Sequence, residues 1–363
     1  MVGAGLTGLT AAHALARQGH HVHVYEASFQ LGGHARSEWL KGIPYEPHGA
    51  HILHTGDVEV WRLVKSLVEV IPYRHRVMTE LVGDLFSWPL QLGELARLDD
   101  WGHIKRELTH LPAEPDATDF ETWCVSLMGE TLYSLFVADY TAKQWGRPPR
   151  ELAASIGPKR VELRTDGCLD LFRDPFQGWP AEGYGALAEA LAGEVEVVFG
   201  EAVTIDTIPD IAAPGTPVIV TSALDDFLTE RFGPLGWRGV RLRGRWLPEW
   251  SGFAQPAMVV NRPSPSVAYT RTIETKWVLG EASPRRGTMV MYEFPGAPAK
   301  HYPIPDAAGV NRHAQDRYVQ ALARYQRNRL IPAGRLAHYT YINMDEAMRA
   351  GLDAAAKAIH PEV

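Results

Sequence analysis

Cysteine is nearly absent from this 363-residue sequence, with Cys124 and Cys168 the only two. So few thiols cannot build a disulfide framework, and they point to a reducing compartment, the cytoplasm. Long apolar runs are missing too. No stretch approaches the ~20 residues that span a bilayer, and the N-terminus lacks the basic and apolar regions of a secretory signal. The expectation is no membrane partner. Positive charge is not in excess either: 36 basic residues face 43 acidic ones, a net charge of −7. That speaks against nucleic acid as a general partner. What remains is an ordinary globular composition, 45% hydrophobic and 22% charged, long enough for two or three domains.

The most informative stretch opens the chain. Gly3, Gly5 and Gly8 stand at the spacing G-x-G-x-x-G. A helical stretch follows from Leu9 to Arg17, closed by Gly19. Next comes the alternating run His21-Val22-His23-Val24-Tyr25, closed by Glu26. Glycine turn, helix, strand and acid make a dinucleotide-binding βαβ unit. The helix N-terminus would face a pyrophosphate, and Glu26 would accept hydrogen bonds from ribose hydroxyls. Gly32 and Gly33 form a second glycine pair soon after the acid, usual where FAD is bound in extended form. Only Met1 and Val2 precede Gly3, whereas a strand usually has about five or six residues. The first strand is thus expected to be nearly missing, through a late start or a truncated cradle. Truncation would weaken flavin binding.

His48, His51 and His54 lie three apart, but Pro47 and Gly49 argue for a loop. On a helix the third would rotate off the face of the first, so histidines lining a ligand are favoured over a metal site. Residues 77–82 and 84–90 read as a hairpin around Gly83. The pattern from 92 to 143 is mostly helical, and Phe136 and Tyr140 share a face there. Such a stripe is core by default. Residues 195–199 and 217–221 read as strands returning to the first sheet. Strands at 266–272 and 288–294 and helices at 311–329 and 346–359 follow. Arg241, Arg243 and Arg245 would share one solvated strand face.

Taken together, these residues resemble the UDP-galactopyranose mutase family. The elements are Gly3-x-Gly5-x-x-Gly8 with Gly32-Gly33, the run Gly49-Ala50-His51-Ile52-Leu53-His54-Thr55, and Tyr140-Thr141-Ala142-Lys143-Gln144-Trp145-Gly146. Glu182-Gly183-Tyr184, Tyr269-Thr270-Arg271, Glu293-Phe294-Pro295, Tyr302-Pro303-Ile304 and Gly334-Arg335-Leu336 with Tyr341 follow in order. The resemblance implies an α/β fold: a FAD-type Rossmann domain (1–58, 186–232 and 330–363), a helical insertion domain (92–155) and an antiparallel β-sheet domain (59–91, 156–185 and 233–329). It implies an isomerase with reduced FAD as cofactor. Flavin N5 attacks the anomeric carbon, the nucleoside diphosphate leaves, the ring opens as an iminium and recloses, and the diphosphate returns. It also implies a nucleotide-sugar substrate (a UDP- or GDP-hexose) and a homodimer.

Roles follow residue by residue from the resemblance. His51 would stand beside the flavin ring, with Arg335 near it. Trp145 and Tyr140 would wall the sugar site. Phe136 would stack on the nucleobase and Tyr184 would help hold the nucleotide. Arg164, Arg271, Tyr302 and Tyr341 would grip the diphosphate. A forked, permanent charge suits a group that must be held while detached.

The chain departs from the family pattern at several positions. Asp170 stands where a second diphosphate arginine is usual, Asp139 precedes Tyr140, Ala50 replaces proline, and His34 replaces asparagine. An acid facing a diphosphate suggests an alternative reading: a mutase on another nucleotide sugar, such as a GDP-hexose, with a divalent metal (Mg or Mn) on Asp170 instead of flavin. A shifted loop, or compensation by Arg173 or Arg160, is the plain counterpart. Another class sharing the first βαβ unit is the FAD-dependent amine oxidases and desaturases. A catalytically dead nucleotide-sugar binder is the last alternative.

Overall fold

A computed structural model describes residues 1–159, 161–280 and 285–360. The glycine turn leads into the helix Leu6–Ala16, followed by the strand His23–Glu26. The strand Glu196–Phe199 pairs with it in parallel, and Val218–Val220 pairs in parallel with Leu330–Pro332. The two pairs are joined by Val2, which bridges Tyr25 on one side and Val220 on the other. Tyr25 and Gly3 exchange backbone bonds with Met1 and Tyr25 at 3.0 and 2.8 Å, and Val2 and Thr221 with Ile219 and Val2 at 2.9 Å each. Met1, Val2 and Gly3 therefore do the work of the central strand. The expected truncation does not open the sheet, because a parallel ladder needs only one bridging residue to pass its hydrogen bonds on.

The helix Leu6–Ala16 packs on Gly183–Ala192 and Met344–Ile359. Gly351 faces it so closely that a Cβ would lie 2.5 Å from the Thr7 carbonyl oxygen. The helix Val310–Ala323 was expected with the antiparallel sheet. Its buried Tyr318 and Leu322 instead join Val218, Val220 and Phe227, because the apolar edge of the parallel sheet needs cover. It is also shorter than the 311–329 expected.

The second sheet has six strands in the order 237–247, 288–303, 271–273, 259–261, 77–81 and 84–88. All its pairs are antiparallel except 259–261 with 77–81. Arg241, Arg243 and Arg245 are exposed on its first strand, with the Arg243 guanidinium 5.2 Å from the Phe294 ring.

Between the hairpin and the second half of the chain lie the helices Trp101–Thr109, Phe120–Met128, Glu130–Tyr133 and Asp139–Trp145. They share a core with Phe86 and Leu90 of the hairpin region. Residues Ser134–Ala138 form a π-helical turn, a widened turn often found at functional sites. Lys143 donates to the carbonyls of Arg262, Ser264 and Val267 at 2.7, 2.8 and 3.1 Å. Arg238 donates to the carbonyls of Gln144 and Lys143, which are left without helical partners at this C-terminus. Both cations fix the helix carrying Tyr140 and Trp145 against the sheet carrying Arg271.

Candidate active site

The glycine turn is built for a dinucleotide. The helix Leu6–Ala16 has no side-chain cap and no acid in its first turn, so its leading N–H groups and partial positive charge are open to an anion. A Cβ on Gly5 would meet nothing within 4 Å, whereas one on Gly8 would lie 2.0 Å from the Gly3 carbonyl oxygen. Gly5 thus keeps space open above the helix, and Gly8 allows the turn to close. Gly33 packs on the same turn: a Cβ there would approach the Gly5 Cα at 3.3 Å. Gly32 donates to the Ala4 carbonyl at 2.8 Å. The Glu26 carboxylate accepts from the N–H groups of Ala4 and Ser28 at 2.7 and 2.9 Å. Each oxygen keeps a further lone pair for a ribose hydroxyl. These residues fit the nucleotide half of FAD.

A cavity of about 610 Å³ lies between the two sheets and the helical region. His51, Phe136, Tyr140, Trp145, Arg164, Arg271, Tyr302, Arg335 and Tyr341 all line it. The Tyr302 ring lies 6.3 Å from Trp145 and 5.8 Å from Tyr341. The Arg335 guanidinium stands 5.8 Å from Tyr302 and 5.1 Å from Tyr341, and it donates to the Ile342 carbonyl at 2.5 Å. Residues separated by more than two hundred positions thus meet in one wall.

Arg271 and Glu293 anchor that wall. Arg271 Nε and Nη2 donate to Glu293 Oε2 at 2.9 and 2.7 Å. Glu293 is fully buried and also accepts from the Thr270 hydroxyl at 3.2 Å. A guanidinium has five N–H groups, so three remain beyond those used on Glu293. The Arg271 guanidinium is held in place while keeping donors for another anion.

Arg164 is arranged differently from the expectation. Only 3% exposed, it donates to Glu162 through Nε at 2.8 Å and forms an ion pair with the same oxygen through Nη2 at 2.7 Å. It also donates to the carbonyls of Cys168, Asp170 and Leu171 at 3.0, 2.5 and 3.2 Å. Four hydrogen bonds and the ion pair with Glu162 turn its guanidinium toward its own loop, so in this arrangement it shapes residues 162–171 while still lining the cavity. Tyr184 is a second correction. It is 0% exposed and donates to the His51 carbonyl at 3.1 Å, supporting the histidine loop from beneath instead of touching a nucleotide. Phe136 is 2% exposed, edge-on to Phe86 at 5.3 Å, so it meets the cavity from within the helical core.

The metal reading of Asp170 fails on its neighbours. Arg76 and Arg74 stand 3.7 and 4.0 Å from its carboxylate, so its charge is already answered. Among the described residues no group of three His, Cys, Asp or Glu is placed to hold a metal. Asp139 is exposed and is not among the residues lining the cavity. Arg173 pairs with Glu162 and Asp166, and Arg160 lies outside the described residues.

The three loop histidines part company. His54 Nδ1 is 2.8 Å from Asp174 and its ring stacks on Phe172 at 3.5 Å. His51 turns toward Glu46, with 3.4 Å between Nδ1 and Oε2. His48 lies 5.4 Å from His34, which stacks on His301 at 4.1 Å with the rings 2° from parallel. Sequence reading missed Glu46, Glu293, His75 and the His34–His301 stack. Glu293 sat inside a recognised motif and Glu46 three residues before one, but nothing local showed that they would be buried.

Burial, then neighbouring positive groups, pushes His34 down from 6.5 to about 2 and His301 to about 4. His75, buried beside Arg271 and His54, falls to about 3. The unfolded chain binds protons here from pH 6.5 downward, while the folded chain stays neutral. Stability is therefore lost as pH falls below 6.5. At pH 5 each costs up to ~2 kcal/mol, less for the stacked pair, which titrates together. Thermal unfolding should show a clearly lower Tm at pH 5 than at pH 7.5. His75→Asn should flatten that dependence.

Comparison with known proteins agrees with this geometry. A family model described as UDP-galactopyranose mutase matches residues 135–341, and one described as an NAD(P)-binding Rossmann-like domain matches residues 1–67. A Klebsiella pneumoniae protein named "Probable UDP-galactopyranose mutase" is 29% identical, across 98% of this chain and 93% of its own. The dTDP-fucopyranose mutase of Escherichia coli is 27% identical, across 98% and 96%. The crystal structure of a reduced UDP-galactopyranose mutase superposes with a TM-score of 0.77, covering 100% of this chain and 95% of that one. At 16% identity, this last likeness speaks for the fold alone. The family match extends over more than half of the sequence and contains Tyr140, Trp145, Arg271 and Tyr302 of the cavity wall, so the chain belongs to the UDP-galactopyranose mutase family and is an isomerase.

Proposed function

We propose that the protein interconverts the pyranose and furanose forms of a nucleoside-diphosphate hexose, a UDP-galactose-like substrate giving a galactofuranose, with FAD in its reduced form. Arg271 is the observation that carries this reading. It is fixed by a buried carboxylate and keeps three donors on a wall shared with Tyr302, Tyr341 and Trp145. Such an arrangement suits a diphosphate that must leave an anomeric carbon and be kept close until it returns. When bound, the reduced flavin supplies a nucleophilic nitrogen to that carbon.

The protein's own groups supply the rest. Gly3, Gly5, Gly8, Glu26, Gly32 and Gly33 would hold the cofactor's nucleotide half, and Arg335 would stand near its ring. Tyr302 and Tyr341 would assist Arg271 on the phosphates, while Trp145 walls the sugar. Tyr140 would wall the sugar beside Trp145, and Phe136 would lie against the base. A cavity of about 610 Å³ is of the size that encloses such a ligand. The family resemblance supports a homodimer, and the two-cysteine composition supports the cytoplasm. Among the described residues, no helix is long and apolar enough to cross a membrane.

The test is an absorption spectrum of the purified protein, followed by isomerisation assays with UDP-galactose, dTDP-fucose and GDP-hexoses, with and without dithionite. A flavin spectrum with dithionite-dependent ring contraction or expansion supports the reading, and the preferred donor names the substrate. A colourless protein, or one that makes peroxide from an amine under air, overturns it.

A further inference from the structure

His51 hangs between two buried groups that the reaction itself does not require. Its backbone N–H donates to Glu46 Oε2 at 2.5 Å, and its carbonyl accepts from Tyr184 at 3.1 Å. Glu46 is fully buried, and its other oxygen accepts from Trp179 Nε1 at 3.0 Å. Among the described residues, His51 is the only ionisable group within 4 Å of this carboxylate in an ion-pair sense. The His51 Nδ1 atom is itself buried and lies 3.4 Å from Oε2, within ion-pair distance but without hydrogen-bond geometry.

An ionised carboxylate only accepts hydrogen bonds, and a neutral imidazole carries its proton on one nitrogen alone. With a lone pair on Nδ1, two electron-rich atoms would face each other in a dry site. With a proton on Nδ1, the same contact becomes attractive. The ring's other nitrogen then carries its lone pair on the side that lines the cavity, since Nδ1 is turned inward.

We infer that Glu46 is the positioning residue for His51. It selects the Nδ1–H tautomer and so presents Nε2 to the cavity as a hydrogen-bond acceptor for a ligand N–H or O–H. This deepens the mutase reading and rests on it for the ligand's identity, but the tautomer itself does not depend on any ligand. The arrangement follows the general logic by which a carboxylate orients a working histidine through its second nitrogen.

Nitrogen NMR of the histidine-labelled protein tests this directly, with the His51 signals identified by their loss in His51→Gln. The expected wild-type result is a protonated Nδ1 and an unprotonated Nε2 at pH 7.5. The opposite tautomer, or a doubly protonated ring, overturns the inference. Glu46→Leu removes the acceptor and should move the proton to Nε2. Glu46→Gln has one acceptor oxygen where the carboxylate had two, so with that oxygen on the His51 side its NH2 would oppose Trp179 Nε1–H; combined with Trp179→Phe, which removes that donor, it should restore the Nδ1–H form. In the isomerase assay, Glu46→Leu should lower kcat at least tenfold with KM changed less than threefold and flavin still bound, and Glu46→Gln with Trp179→Phe should recover most of it. Tyr184→Phe, which releases only the carbonyl, should leave the tautomer unchanged. A Glu46→Leu protein that loses turnover while His51 keeps its wild-type tautomer would assign Glu46 a merely structural role and overturn the inference. If no nucleotide sugar is turned over by any form, the mutase reading fails while the NMR result still decides the role of Glu46.

Discussion

Arg271→Ala should abolish isomerisation and also lower the Tm, two losses with separate causes. The first is the missing diphosphate anchor, a forked guanidinium held in place by Glu293. A loss of at least a thousandfold in kcat/KM, about 4 kcal/mol of transition-state stabilisation, is expected. The second loss comes from Glu293. It is fully buried, and Arg271 is its ion-pair partner at 2.7 Å. Stranding a buried carboxylate costs ~3–5 kcal/mol. The double variant Arg271→Met with Glu293→Gln removes both charges and should regain most of the Tm while staying inactive. Substantial turnover in the double variant would remove Arg271 from the substrate site. A Tm unchanged in the single variant would show that Glu293 is not held as a charge.

The second large effect separates two glycines three residues apart. Gly5 has φ −75° and ψ 178°, a conformation open to any residue. A side chain there would meet nothing of the protein within 4 Å. Gly5→Val should therefore fold with a near-wild-type Tm and yet purify without flavin, because the branched side chain occupies the space above the helix N-terminus. Gly8→Ala should fail earlier. Its Cβ would stand 2.0 Å from the Gly3 carbonyl oxygen, so the turn must open and the first βαβ unit is lost with it. Flavin absorbance and Tm, measured together, read both outcomes. A yellow Gly5→Val protein would place the cofactor elsewhere.

The histidine-linked acid sensitivity is a milder effect of the same construction. His34, His75 and His301 pack in their neutral form, because burial holds each well below the usual histidine range. The chain cannot protonate them without disturbing the walls they support.

Much of the fold was legible because its signals are local. Glycine spacing, alternation and turn chemistry depend on neighbours within a few residues. Thus the glycine turn, the hairpin around Gly83 and the returning strands at 196–199 and 218–220 could be read directly. The helix 310–323 was misplaced because its apolar face says only that it needs a partner, not which sheet provides one. The missing first strand misled for a related reason: strand length is local, but a bridge through Val2 depends on two strands more than 190 residues apart meeting beside it.

By itself the sequence determined the dinucleotide turn, the family and the set of aromatic and cationic residues that reach the cavity, since each is written in a contiguous motif. The tertiary structure decided how those side chains are engaged. Only the folded loop 162–171 engages Arg164 in four hydrogen bonds and an ion pair. Only the packing of two distant strands gives Arg271 a buried carboxylate while leaving it donors to offer. Asp170 looked like a metal ligand until Arg74 and Arg76 came beside it. Charge and hydrogen-bonding capacity belong to residues, whereas their availability depends on which neighbours the fold brings within a few ångströms.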